Sequence, residues 1–230
     1  MSKGVAVTVI VEGDTEQIFV REILAPYLGA KGVFMTPIIL SKPGQKGGDV
    51  RFARAKNDIS RHLKQRKDAY VSLLVDYYGI GADWPGLKAV KPQASPGEIA
   101  AAVCKATQQA IEAYVNNDSL SARFVPHISV YEFEALLFSE SAILAGAIQV
   151  DPQRVEAIIE ECGEPEAINN SGKTAPSKRI EELHSKFKKT SDGIAIARAI
   201  GIERMRAKCP VFNCWLDRLE SLVEGCAAPT

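Results

Sequence analysis

Apolar runs that resemble buried strands recur along the first part of the chain. Val5–Val11 is apolar apart from one threonine and rich in β-branched residues, and a charged turn follows it. This pattern predicts a buried strand in a parallel sheet. Similar runs predict strands over Val33–Leu40, Tyr70–Asp76 and Phe124–Ser129, and Pro37 places the second strand near an edge or a bend of the sheet.

Segments with helical spacing separate these strands. Thr15–Leu28, Asp49–Arg66 and Pro96–Tyr114 are predicted helices, and Glu132–Phe138 begins another. Strand and helix therefore alternate through four repeats of one strand and one helix. This alternation predicts an α/β fold with a mainly parallel sheet flanked by helices.

The pattern changes near residue 141, after which only helical spacing is found. We therefore expect an α/β core over residues 1–140 and an all-helical C-terminal extension over residues 141–230, packed on that core. Its predicted helices cover approximately Pro152–Cys162, Ser177–Phe187, Ile194–Ala199 and Pro210–Val223.

Composition narrows the class of protein. At 230 residues and 46% hydrophobic content, the chain is long and apolar enough to bury a core without a disulfide or a metal. No run approaches the roughly 18 apolar residues of a membrane span. The five cysteines form no C-x-x-C pair, and no export signal is found. We expect a reduced cytoplasmic protein with no membrane contact.

Charge is balanced overall and uneven locally. The 28 basic residues equal the 28 acidic ones, which by itself argues against a general nucleic-acid coat. Lys31–Lys67 nevertheless carries a net charge of +8, Val130–Asn170 carries −8, and Ser171–Thr230 carries +4. The average of zero therefore hides opposed patches.

Acidic residues follow the predicted strands at the edge where parallel sheets bind ligands. Glu12 comes directly after the first strand, with Glu16 in the first turn of the next helix, and Asp76 ends the third strand. A capped surface turn is the alternative for the first motif. Two carboxylates on one sheet edge are what Mg²⁺ or Mn²⁺ needs.

A third acidic motif follows the fourth strand. Glu132 and Glu134 lie two positions apart, so on a helix only one of them should point inward, and we prefer Glu132. Glu134 is then a positioning group or a solvated residue. The neighbouring His127 is interpreted as a core histidine rather than a ligand.

Basic residues supply candidate phosphate contacts. Lys178 and Arg179 begin a predicted helix, Arg206 lies further along the extension, and Lys46 lies in a glycine-rich loop. Their side chains are suited to hold phosphate or to neutralise developing negative charge. A solvated basic face is the alternative.

The motifs resemble a known family. Val11–Glu16 and Leu73–Gly79 look like the Toprim domain of topoisomerases, primases and overcoming-lysogenization-defect (OLD) nucleases. A longer set resembles one Toprim-like branch, the bacterial family of unknown function DUF4276, which is often encoded beside an AAA or ABC-type ATPase in defence-like operons. That set comprises Tyr131–Phe138, Ala175–Arg179 and Cys209–Leu216.

The resemblance implies a Toprim-like, Rossmannoid fold and assigns roles to particular residues. Glu12 matches the Toprim glutamate and Asp76 the first aspartate of its Asp-x-Asp motif. Tyr78 stands where Toprim enzymes usually have the second aspartate. Four residues are open candidates for the missing carboxylate: Glu16, Asp83, Glu132 and Glu134.

The expected function is a Mg²⁺- or Mn²⁺-dependent nuclease in bacterial defence, acting on DNA more than RNA and working with a partner ATPase. The expected metal ligands are Glu12, Asp76, Glu132 and Glu134, and the expected catalytic groups are Glu12, Glu16, Asp76, Glu132 and Lys178. Two alternatives stay open: a non-catalytic subunit that docks on an ATPase, and small-molecule phosphate chemistry. A homodimer is also left open.

Overall fold

A five-stranded sheet organises the protein. The computed structural model describes residues 4–40, 50–169 and 174–225. The strands run in the order β2-β1-β3-β4, β5 also pairs with β3, and every pairing is parallel. This arrangement confirms the predicted α/β class. The strands are β1 (Val5–Val11), β2 (Val33–Ile39), β3 (Ala69–Asp76), β4 (Phe124–Val125) and β5 (Ile128–Ser129).

The second strand lies at the edge of the sheet, as Pro37 predicted. The prediction of one continuous fourth strand is wrong. Two short strands, β4 and β5, replace it, and Pro126 lies between them. Proline has no N–H to donate to a strand ladder, so the pairing is interrupted there. Both strands still run beside β3, and they deliver the following residues to its carboxyl end.

Helices cover both faces of this sheet. The predicted first helix is one continuous helical run, in which a π-helical segment at Val20–Leu24 joins two α-helices. The helices are α1 (Asp14–Phe19), α2 (Ala25–Gly29), α3 (Phe52–Gln65), α4 (Pro96–Val115), α5 (Asp118–Ser121), α6 (Ser141–Ile148), α7 (Pro152–Cys162), α8 (Pro176–Leu183), α9 (Ile194–Ile200), α10 (Ile202–Lys208) and α11 (Pro210–Gly225).

The prediction of a helix that begins at Glu132 also needs a correction. Glu132 itself is extended, and a 3₁₀ segment follows it over Phe133–Ser139. All seven residues of that segment are buried, so no polar stripe gives it the one-sided pattern of a surface α-helix. The α5, α6 and α10 helices were not predicted, and neither were the short 3₁₀ segments Leu87–Ala89 and Pro165–Ala167 nor the π-helical segment Lys189–Gly193.

The core has two apolar clusters. Alternate β1 residues such as Val7 and Val9 belong to a cluster that includes α1 and the C-terminal helices, while Ile10 belongs to a cluster with α3 and α4. Trp215 on α11 also donates its indole N–H to the Ser72 hydroxyl of β3, at 3.0 Å. The C-terminal helices and β1 therefore share one apolar cluster, and the boundary near residue 140 stays a prediction.

Composition predicted that the chain has no membrane span and that its cysteines are reduced. Across the described residues, none of the helices has the length and apolar character required to cross a membrane. Cys104, Cys162, Cys209 and Cys214 are free thiols. Cys226 lies outside the described residues, as does most of the glycine-rich loop that contains Lys46.

Candidate functional site

Three acidic segments meet at the carboxyl edge of the sheet. Glu12 follows β1 and Asp76 ends the adjacent β3, and the Asp76 amide donates to Glu12 Oε2 at 3.4 Å. The Phe133 amide, which follows β5, donates to Asp76 Oδ1 at 3.0 Å. The structure thus brings together acidic motifs that are 64 and 57 residues apart in sequence.

Glu16 joins this group from the first turn of α1. Its Oε2 accepts the Gly13 amide at 3.0 Å, and its side chain is buried. Gly79 lies directly against the Glu12 carboxylate. A Cβ on Gly79 would lie only 2.6 Å from Glu12 Cδ, closer than real carbon atoms approach. Gly79 is therefore required for Glu12 to hold its position.

Glu132 and Glu134 both face the same cation. Lys189 Nζ lies 3.1 Å from Glu134 Oε2 and 3.6 Å from Glu132 Oε1, and Glu132 also accepts the Ser177 amide at 2.9 Å. The prediction that only one of the two glutamates points inward is therefore wrong. It assumed α-helical geometry, whereas Glu132 is extended and Glu134 lies in a 3₁₀ turn.

Burial and crowding set the charge state of these carboxylates. The pKa of Asp76 is raised well above its usual value, first by burial and then by repulsion from Glu16, Glu134, Glu12 and Glu132. Burial and the nearby Glu12 also raise the pKa of Glu16. These groups therefore share one electrostatic environment with a strong preference for added positive charge.

Lys189 is the cation that sequence reasoning missed. Attraction to Glu134, Glu132 and Asp76 outweighs burial and raises the pKa of Lys189 to about 12. Burial outweighs Lys189 in turn and raises the pKa of Glu134 to about 7. Lys189 follows a run of similar lysines, at 186 and 188, and nothing local distinguishes it from them. We call Glu12, Glu16, Asp76, Glu132, Glu134 and Lys189 the carboxylate cluster.

The predicted phosphate-binding residues do not lie together at the carboxylate cluster. Lys178 is exposed on α8, next to the Ser177 that binds Glu132, and pairs with Glu181 at 2.6 Å. Arg179 is mostly buried and donates to both oxygens of Glu161 on α7, at 3.1 Å. Both residues thus lie on the helix whose first turn touches the cluster.

Arg206 belongs to a separate network on α10. It donates to Asp217 and Glu220 of α11, and to the Tyr27 hydroxyl at 3.0 Å. Lys31 pairs with the same Glu220 at 2.9 Å. We call Tyr27, Lys31, Arg206, Asp217 and Glu220 the Arg206 network. Lys46 lies outside the described residues.

The structure separates Asp83 from the other three candidates for the missing carboxylate. Tyr78 lies beside the cluster, where its hydroxyl accepts a hydrogen bond from Asn169. Asp83 accepts the Phe52 and Ala53 amides, both at 3.3 Å, and so serves the start of α3. The carboxylates grouped with Asp76 are instead those of Glu16, Glu132 and Glu134.

His127 has the core position that its interpretation required. It is buried and stacks on Trp215 with ring centroids 4.5 Å apart, and burial lowers its pKa to about 3. The same two rings line a largely apolar cavity of about 220 Å³ between α4 and α11. A neutral, stacked imidazole of this kind supports the packing of α11.

A second buried carboxylate lies outside the cluster and was also missed. Glu166 accepts the Val211 amide at 2.8 Å and the Phe212 amide at 2.9 Å. It therefore satisfies two free N–H groups at the start of α11. Burial outweighs these two hydrogen bonds and raises the pKa of Glu166 to about 7.

The donor chemistry of the cluster suits a hard divalent cation. The five carboxylates offer oxygen ligands, the kind that Mg²⁺ and Mn²⁺ prefer. Within residues 4–40, 50–169 and 174–225, however, no three His, Cys, Asp or Glu side chains are arranged as a ready metal site. The residue types fit the ion, while their arrangement is held by Lys189 and backbone amides.

Comparison with protein families identifies relatives of the chain. The family model described as "Domain of unknown function (DUF4276)" matches residues 11–220. The chain belongs to the DUF4276 family. The match runs from before Glu12 to beyond Lys189, so this DUF4276 domain contains the whole carboxylate cluster. No curated protein and no solved structure matches the chain. The Toprim resemblance therefore rests on the motif residues alone.

Proposed function

We propose that this DUF4276 protein is a Mg²⁺- or Mn²⁺-dependent, Toprim-like nuclease that hydrolyses phosphodiester bonds. One observation carries the proposal: five carboxylates share one electrostatic environment at the carboxyl edge of a parallel sheet, and Lys189 pairs with two of them, Glu132 and Glu134. Glu16 and Glu134 are buried, and carboxylates grouped in this way repel one another unless protons or cations relieve their negative charge. Ligand sites occur at this edge of parallel sheets.

The acidic residues of the cluster have different proposed roles, according to their positions. Glu12, Asp76, Glu132 and Glu134 would hold the ion, and Glu16 orders the Glu12 turn through Gly13. When bound, a divalent ion polarises the scissile phosphate and lowers the pKa of an attacking water. Glu16 and Glu132 are the proposed groups for orienting that water.

Positive charge for the substrate comes from the C-terminal region. Lys178 is exposed and directly follows Ser177, whose amide binds Glu132, and its ammonium group pairs with Glu181 at 2.6 Å. We assign it to the phosphate charge, together with Arg179. Phosphate contacts by Arg206 and Lys46 stay predictions.

The biological setting follows from the resemblance. We infer a role in bacterial defence in the cytoplasm, with DNA as a better substrate than RNA and an AAA or ABC-type ATPase as partner. A homodimer is part of the same proposal. Opposed charge along the chain, +8 over Lys31–Lys67 and −8 over Val130–Asn170, motivates docking through charged surfaces, to which the buried Glu134 and Glu166 do not contribute.

A cleavage assay tests the nuclease. Wild type, Glu12→Ala and Asp76→Ala are incubated with DNA and with RNA in Mg²⁺ or Mn²⁺, and circular dichroism checks that each variant folds. Each substitution should lower the cleavage rate at least about 100-fold, the loss typical of a weakened metal site. Glu182→Ala, which removes an exposed carboxylate of α8, is the matched control and should cut normally. Equal rates in all four proteins would refute the proposal.

A non-catalytic subunit is the second candidate, favoured by Tyr78 and Lys189. Tyr78 replaces a metal-binding aspartate of the Toprim pattern, and Lys189 already supplies positive charge inside the cluster. In that case the protein docks on an ATPase and the cluster is a structural ion group. Calorimetry with Mg²⁺ and Mn²⁺ would show no binding, and the protein would co-purify with an ATPase encoded beside it.

A further inference from the structure

Three tyrosine rings form a cluster beside the carboxylate cluster. Tyr77 and Tyr78 follow β3, and Tyr131 follows β5. The Tyr78 and Tyr131 ring centroids are 5.4 Å apart at 34°, and Tyr77 meets Tyr131 edge-on at 5.9 Å. The Tyr78 amide also donates to the Tyr131 carbonyl at 3.3 Å. Adjacent strands therefore hold these rings together.

One of the three rings is open to solvent. Tyr78 is 44% exposed, whereas large aromatic side chains are more often covered. Two other large apolar side chains are similarly exposed in the described chain. Tyr114 has Lys56 Nζ 4.7 Å above its ring, and Phe34 lies on the edge strand β2. Tyr78 is the one of the three that adjoins the carboxylate cluster.

The Tyr78 ring is also held in place. Asn169, which is 8% exposed, donates its side-chain N–H to the Tyr78 hydroxyl. Contacts with Tyr77 and Tyr131 support the ring from the protein side. A pre-positioned ring loses little freedom when a flat group stacks on it, so binding is stronger for the same contact area.

Stacking on an aromatic ring can compensate for the repulsion between the carboxylate cluster and the phosphates of a nucleic acid. Surplus carboxylates repel phosphate, so backbone attraction alone binds a strand weakly here. Base stacking on an aromatic ring does not depend on charge and contributes about 1–3 kcal/mol per base. Only an unpaired base presents a free face, because the bases of a duplex are stacked on their neighbours.

We propose that Tyr78, supported by Tyr77 and Tyr131, stacks an unpaired base, so that the substrate of this site is a single-stranded nucleic acid or a single-stranded region. The inference rests on the proposed nuclease function, since it places the base beside the carboxylate cluster. Glu132 directly follows Tyr131, so a base on Tyr78 brings its own phosphate towards the cluster.

Binding and fluorescence measurements test the stacking independently of cleavage. A fluorescein-labelled oligothymidylate and a duplex are titrated with protein in Ca²⁺, and anisotropy gives the affinity. Tyr78→Ala should weaken single-strand binding by about 5- to 150-fold, and Tyr78→Phe should weaken it far less, because it keeps the ring and loses only the hydrogen bond from Asn169. Tyr114→Ala, which removes another exposed tyrosine, is the matched control and should not change binding.

A base analogue separates stacking from other contacts. An oligonucleotide carrying 2-aminopurine should lose fluorescence on wild type and Tyr78→Phe, and keep it on Tyr78→Ala. The proposal is overturned if wild type does not bind single strands, if Tyr78→Ala binds them like wild type, or if it loses single strands and duplex equally. Tyr78-dependent binding without cleavage would instead reject the nuclease and keep the stacking surface.

Discussion

The carboxylate cluster and the Arg206 network use charge in opposite ways. In the first, Lys189 pairs with Glu134 and Glu132 within a group of five carboxylates, and the pKa of Asp76 is raised well above its usual value. In the second, Arg206 and Lys31 meet two acids, Asp217 and Glu220, in equal number. These paired charges offset one another, and the Tyr27 hydroxyl that joins Lys31 and Arg206 also donates to a third acid, Glu203, at 2.7 Å.

The comparison shows how a structural ion group differs from a candidate site. Asp217 is 56% exposed, so solvent screens its pair with Arg206 and little energy is stored there. Glu134 has a side chain only 2% exposed, and its negative charge is unfavourable without added positive charge. The burial of charge, more than the number of charged residues, therefore distinguishes the carboxylate cluster from the Arg206 network.

The largest expected effect comes from Gly79→Ala. The new Cβ would overlap the Glu12 carboxylate and push it out of the cluster. We expect cleavage to fall by about 100-fold, the usual loss when a catalytic group moves by about 1 Å. Gly146→Ala is the control, because nothing lies within 4 Å of its Cβ position. Steady-state cleavage and thermal melts measure both, and a fully active Gly79→Ala would contradict this view of Glu12.

Lys189→Gln should reduce stability by removing the cation of the cluster. The free energy of unfolding should fall by less than the roughly 3–5 kcal/mol of a fully buried pair, because the Lys189 side chain is 40% exposed. The loss should be larger at about pH 8 than at about pH 5.5, since Glu134 with a pKa of about 7 is neutral at the lower pH.

Urea unfolding at the two pH values measures this difference. Lys188→Gln removes the neighbouring exposed lysine and should leave the free energy of unfolding unchanged. Added Mg²⁺ should restore stability to Lys189→Gln if the cluster binds the ion. An equal loss at both pH values would show that Lys189 does not balance a titrating carboxylate.

Glu166 isolates the effect of burial from that of neighbouring acids. Its pKa rises from 4.5 to about 7 on folding, so folding favours the protonated form. Wild type should therefore lose stability as pH rises from about 4.5 to about 7, by an amount of order 1–2 kcal/mol. Glu166→Gln should be less stable throughout and lack this part of the slope. Parallel pH curves for the two proteins would disprove the assignment.

The smallest effect is expected for Arg206→Ala. Its partners on α2 and α11 remain partly solvated, so the free energy of unfolding should fall by about 1 kcal/mol, or roughly 2–4 °C in Tm. Lys208→Ala, an exposed lysine of the same helix, should melt like wild type. Weakened nucleic-acid binding at unchanged stability would assign Arg206 to phosphate, as the sequence predicts.

Much of the sheet and its acidic edge was predictable from the sequence. The runs at Val5–Val11 and Tyr70–Asp76 encode strands locally, and parallel strands place their carboxyl ends at one edge. The sequence alone therefore predicted that Glu12 and Asp76 lie at the same edge of the sheet. The relation of Glu132 to Glu134 could not, because it depends on a 3₁₀ turn whose residues are all buried.

The C-terminal region was harder for a physical reason. Lys189 and Arg206 both lie in basic helical surroundings, so the local sequence pattern does not distinguish one from the other. Lys189 meets Glu134 from 55 residues away, while Arg206 meets Tyr27 from 179 residues away. Contacts of that range depend on how the helices pack on the sheet.

The sequence by itself determined the α/β class, the alternation of strands and helices in the first part of the chain, and the placement of acids after the first, third and fourth predicted strands. Only the tertiary structure decided which charges are balanced and which are in surplus. A strand forms from the periodicity of neighbouring residues, but the energy of a charge depends on its burial and on partners from distant segments. For that reason Lys189, Glu166 and the Tyr78 surface became visible only in the folded chain.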